Sequence, residues 1–198
     1  MKEKSKQAFN NISDIDIIGR VLQGEREAYS MIVERYQSYL YRTAFAFLGS
    51  REEAEDALQE IFIKAYRYLN TFKLGMNFKT WLYTIAINHL RRLHKKNSRI
   101  IQFQTAESEF LESLPDEKES SDPAIKLLKN QTETDVVNAV NTLKKGLKEV
   151  VILYYFDEMS IEEISEILGL GKENIKSKLF RARKILRKIF EKNETVVE

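Results

Sequence analysis

The spacing of apolar residues constrains this chain more than any other feature. From Asp14 to Ile189, outside one central block, they recur at every third and fourth position, and no stretch alternates as a half-buried strand would. The pattern predicts helices packed on helices. A first helix starts near Asp14 and ends at Gly24; a second, long one passes through Phe45 to Leu48 and stops at Gly49. Ser50 caps a third, with Glu53 three residues on to complete a capping box, and that helix reaches about Asn70. A turn over 71–77 containing Gly75 leads into a fourth helix around Trp81.

The central block interrupts the pattern. Both prolines, Pro115 and Pro123, lie in or beside QTAESEFLESLPDEKESSDP, which has no sustained helical period. Charge divides there too: residues 1–97 carry +5, residues 98–122 carry −5 and residues 123–198 carry +2. We therefore expect an all-α fold of two helical domains, at 13–97 and 122–192, joined by an acidic flexible linker over 98–121, with tails at 1–12 and 193–198. Asp122 and Pro123 supply the N-cap and first turn of a helix running to about Thr142.

The last third reads as a helix-turn-helix. Ser160 and Glu163 form another capping box and open a short helix with Ile161, Ile164, Ile167 and Leu168 inward. Gly169-Leu170-Gly171 makes the turn. The final helix buries Ile175, Leu179, Ala182, Leu186 and Ile189, and from Lys172 to Lys192 it holds nine basic residues against two acidic ones. Its N-terminal half suits a major groove.

Composition narrows the chemistry. At 43% apolar the chain is too apolar for a disordered polymer, and the absence of cysteine removes disulfides, a thiol nucleophile and cysteine-ligated zinc. MKEKSKQAFNNISD has no apolar signal core and no run approaches the length of a membrane span, so a cytoplasmic protein without membrane insertion is expected. His89 and His94 lie five apart, too far round a helix to share a metal. Asp56 and Glu60 lie one turn apart like a carboxylate pair, but Glu52, Glu53 and Glu55 make that helix an acidic face, better suited to docking a basic partner. We expect neither metal nor cofactor. Trp81, Leu82 and Ile85 fit a packed core first, and Trp81 equally fits a platform for unpaired bases beside Arg91, Arg92, Lys95 and Lys96.

Two sets of words carry a family resemblance. DALQEIF (Asp56 to Phe62), Phe72 and FKTWLY leading to Ile85-Ala86-Ile87-Asn88 resemble region 2 of the bacterial sigma-70 family, in its extracytoplasmic-function (ECF) group. Ser160 to Leu168 and KSKLFRAR (Lys176 to Arg183) resemble region 4. The resemblance implies a non-enzymatic subunit that binds core RNA polymerase, at the β′ clamp helices and β flap, and starts transcription of a specific, stress-responsive set of genes. It assigns core docking to Asp56, Gln59 and Glu60. Minus-ten DNA falls to Phe72, Met76, Asn77, Phe78, Trp81, Tyr83, Asn88, Arg91, Arg92 and Lys95, where an aromatic slot and an amide suit a flipped base. Minus-thirty-five DNA falls to Lys172, Lys176, Ser177, Lys178, Phe180 and Arg181. An anti-sigma factor is the implied inhibitor. Lysines at 176 and 178 stand where relatives often carry arginine, and Gly171 where a stiffer residue is common. A stand-alone helix-turn-helix regulator is the alternative; it would leave the Asp56-Gln59-Glu60 face without a purpose.

Overall fold

The structure, a computed structural model, describes residues 12–73, 75–101 and 133–194. Every regular element among them is helical. Ser13 accepts a hydrogen bond from the Asp16 amide and opens α1 (Asp14–Leu22), whose Ile17, Ile18 and Val21 face inward. A 3-10 turn leads to α2 (Tyr29–Leu48), which ends where Gly49 adopts a φ of 77°, a left-handed conformation glycine takes without penalty. Ser50 then accepts from the Glu53 amide to start α3 (Arg51–Tyr68). After a second 3-10 turn, Asn77 caps α4 (Phe78–Ile101) by accepting from the Thr80 amide at 3.2 Å.

α1 to α4 form one bundle, tied by an aromatic knot. Phe72 meets Phe78 edge-on at 5.5 Å and Trp81 at 5.6 Å, Phe78 stacks on Trp81 at 5.5 Å, and Tyr36 of α2 closes on Phe78 at 5.8 Å. Such pairs each contribute about 0.5–1.5 kcal/mol beyond area burial. The Asp14 carboxylate accepts from Arg35 and from the Tyr36 hydroxyl, which pins α1 to α2.

The second helical region starts with α5 (Glu133–Asn141) and α6 (Lys145–Val151). α6 runs on as a π turn, Ile152–Phe156, in which the Asp157 amide bonds back five residues to the Ile152 carbonyl at 3.3 Å. Both halves of the Ser160–Glu163 capping box are formed and start α7 (Ile161–Leu168). Gly169 ends it at a φ of 66°, and α8 (Lys172–Glu194) follows. α8 packs on α6 and α7 as a helix-turn-helix.

Three sequence expectations change. α4 continues to Ile101, past the boundary placed at 97. In α8 the stripe steps by four from Leu186 to the buried Phe190 and seats that larger ring, while Ile189 is only half-buried. Ile161 is only half-buried at the start of its helix. The rest of the acidic linker, the Asp122–Pro123 cap and the chain ends 1–11 and 195–198 lie outside the described residues.

The two regions touch along one seam. α2 packs against the π turn and α5, and α4 packs against α7. At its centre the buried Asp157 carboxylate lies 2.9 Å from the Thr43 hydroxyl through each oxygen and accepts from the Tyr83 hydroxyl at 2.9 Å. To one side Arg91 donates to Glu149 in a two-pronged pair, at 2.8 and 2.7 Å. Beside it the buried Lys148 ammonium donates to the Phe47 carbonyl near the end of α2, at 2.6 Å, and to Asn141.

Candidate nucleic-acid interface

Helical geometry sorts the residues of α4. At about 100° per residue, Trp81, Ile85, Asn88, Arg92 and Lys95 fall within a band about 80° wide. Asn88, Arg92 and Lys95 are exposed, and Trp81 and Ile85 are half-buried. The stripe therefore runs from a partly open aromatic platform, past an amide with both donor and acceptor, to two exposed cations. That order suits a single strand whose base stacks at one end while phosphates lie along the other.

The other minus-ten candidates are distributed differently. Met76 is exposed on the turn before α4, and Asn77 is exposed while its Oδ1 holds the helix cap. Phe72 and Phe78 are buried in the aromatic knot and support Trp81 from beneath. Tyr83 is fully buried on the opposite face, in register with Ile87 and Leu90, and its hydroxyl serves the seam. Arg91 is half-buried and held by Glu149.

On the neighbouring helix, Asp56, Gln59 and Glu60 are all exposed on one face of α3. Glu60 accepts from Lys64 at 2.9 Å, which draws its carboxyl below the usual range. The same Lys64 reaches Nδ1 of the buried His89, whose Nε2 lies 3.7 Å from Glu60. Burial, then Lys64, push the His89 imidazole below its ordinary value. His94 sits elsewhere, edge-on to Phe47 at 6.1 Å. His89 therefore links the DNA-facing helix to the acidic docking face, a role its sequence position did not announce.

On α8, Lys172 and Lys176 are exposed one turn apart and pair loosely with carboxylates, Lys172 with Glu162 at 2.6 Å and Lys176 with Glu173 at 3.0 Å. Such surface pairs are worth little and exchange readily for phosphate. Ser177, Phe180 and Arg181 are half-buried alongside. Lys178 turns away: its ammonium lies over Gly146 of α6, so close that a methyl there would sit 3.0 Å from Nζ. Sequence reasoning missed Thr43, Lys148, Glu149 and Asp157, because their partners are distant in the chain.

Residues 32–100 match the family model for Sigma-70 region 2, and residues 134–186 match that for Sigma-70, region 4. The chain is 32% identical over 182 residues to the RNA polymerase sigma-H factor of Pseudomonas aeruginosa, covering 88% of this chain and 92% of that protein. It is 32% identical over 177 residues to the ECF RNA polymerase sigma factor SigW of Bacillus subtilis, covering 86% and 93%. Among solved structures it resembles the sigma factor RpoE of Bartonella quintana, in a complex with the anti-sigma factor NepR, at 26% identity and a TM-score of 0.62, covering 82% of this chain and 96% of that one. CnrH, in complex with the cytosolic domain of CnrY, shares the fold at 22% identity and a TM-score of 0.65, covering 88% and 95%.

Proposed function

Since the chain belongs to the ECF sigma factors of the sigma-70 family, we propose that it docks on core RNA polymerase through Asp56, Gln59 and Glu60 and holds the minus-ten strand along the Trp81–Asn88–Arg92–Lys95 stripe. The accessible stripe carries the reading: an aromatic, an amide and two cations in line on one helix are arranged for an extruded base followed by its phosphates. Arg91 lies at the edge of the stripe, held by Glu149, while Tyr83 on the opposite face of α4 stays in the packing between the two regions. Lys172, Lys176 and Arg181, with Ser177 and Phe180, read the minus-thirty-five duplex from the major groove, and Lys178 supports α8 from the α6 side. The chain directs polymerase and catalyses nothing itself; turnover belongs to the polymerase.

The solved relative held by an anti-sigma factor, RpoE with NepR, supports an anti-sigma partner for this chain as well. No helix among the described residues is long and apolar enough to cross a membrane, in keeping with work beside polymerase in the cytoplasm. Stress responsiveness is the family's habit and our expectation for the regulated genes.

The test is to add the purified chain to sigma-free bacterial core polymerase with a pool of promoter fragments and sequence the transcripts. Discrete starts sharing two spaced motifs are expected. Asp56→Lys should abolish transcripts while duplex binding by the C-terminal region survives. Asn88→Ala should relax base choice in the minus-ten motif and leave polymerase binding intact; an unchanged motif would remove the flipped-base role. Duplex binding with no transcripts would favour a stand-alone regulator.

A further inference from the structure

We propose that His89 of α4 is a positioning residue for the polymerase-docking face: together with Lys64 it secures one oxygen of the Glu60 carboxylate, so that the other is turned out to the partner. The inference rests on the assignment of Asp56, Gln59 and Glu60 to core docking.

The hydrogen bonds around one imidazole carry it. Lys64, one turn beyond Glu60 on α3, donates to Glu60 Oε2 at 2.9 Å and also lies against Nδ1 of His89. An ammonium donates and never accepts, so the ring nitrogen facing it must be the acceptor. The network thus assigns the ring proton to Nε2. That N–H is buried, has no hydrogen-bond partner among the described residues, and lies 3.7 Å from the same Glu60 oxygen. A closed bond spans about 2.9 Å, so the remaining gap is under about 1 Å. Two donors on two helices are aimed at one carboxylate oxygen, and Oε1 is left to the outside.

A stranded donor in the contact between α3 and α4 is a cost that an apolar residue at position 89 would avoid. Docking gives the donor its use. In the free chain the Glu60 side chain is 59% exposed and faces water. A partner that covers it removes that water, and each carboxylate oxygen then needs a donor from protein. A cation of the polymerase takes Oε1, while Lys64 and the Nε2–H of His89 close on Oε2. Lys64 is drawn inward by the ring, so its ammonium stays with Glu60 when the partner arrives. Half of the covered site is therefore built before contact, and little side-chain freedom remains to be lost at the moment of docking.

Docking and folding are measured on the same variants of the full chain. Binding to sigma-free bacterial core polymerase is read by competition against fluorescently labelled unaltered chain, and folding by urea unfolding. His89→Leu removes both ring nitrogens and should weaken polymerase binding about five- to tenfold, while the urea midpoint holds or rises because no donor is stranded. His89→Gln, whose amide offers an acceptor to Lys64 and a donor to Glu60, should bind within about twofold of the unaltered chain. Glu60→Ala should weaken binding, and adding His89→Leu to it should cost nothing more. A Leu variant that binds normally, or one that weakens Glu60→Ala as much as it weakens the unaltered chain, would overturn the positioning role. So would a fall in both affinity and urea midpoint for the Leu and Gln variants alike, which would reduce His89 to packing. Normal binding by Glu60→Ala itself would sink the docking assignment and the role of His89 with it.

Discussion

Asp157 holds its carboxyl where water cannot reach it, and burial pushes its pKa from 3.8 up to about 6 against the opposing pull of hydrogen bonds from Thr43 and Tyr83 and of the Lys79 and Arg42 charges. A raised carboxyl favours the folded form when protonated, so its contribution is fully present below pH 3.8 and is lost as pH rises through about 6. Compared with Asp157→Asn, the native chain should lose about 3 kcal/mol between those limits and stay level at higher pH. Urea unfolding across that range checks it; a constant difference would mean that the carboxyl is hydrated. In the sequence Asp157 is one polar residue ending an apolar run, because its partners lie 114 and 74 residues away. Tyr83 was more legible than its assignment suggests: it keeps step with the buried Ile87 and Leu90, not with the exposed Asn88.

Capping decides the individual helices, and capping is local. Ser160 and Glu163 satisfy each other's backbone amides in the structure as their spacing predicts. Ser160→Ala should cost about 1 kcal/mol, read as a lower urea midpoint with an unchanged slope. Gly49 and Gly169 stop their helices in left-handed conformations, which is why those ends could be read to the residue. The run between Thr142 and Ser160 offered no such marks. Val150, Val151, Ile152 and Leu153 are all buried, and a helix apolar on every side has no stripe from which to take its phase. The π turn was illegible for the same reason.

Long-range charge belongs to the whole molecule. A net charge of only +2 means that DNA affinity comes from local clusters such as Lys172 and Lys176, not from a polycationic surface. Lys176→Ala should lower the slope of log affinity against log salt on minus-thirty-five duplex by about one, measured by fluorescence titration at several salt concentrations. The division into two regions was legible, since prolines and acidic charge accumulate between them. Their mutual placement was not, because a seam of a few hydrogen bonds between residues about a hundred positions apart leaves no periodic trace. That seam hangs on the π turn, whose extra residue per turn sets the direction in which Asp157 leaves the helix. The wide turn takes up one residue beyond an ordinary α-helical turn, so removing one from Ile152–Phe156 would restore the ordinary pitch and leave the downstream helices facing nearly as before. The turn is thus a stored insertion: the chain carries one residue there beyond what the helices on either side need, and the fold keeps it without turning the helix-turn-helix aside.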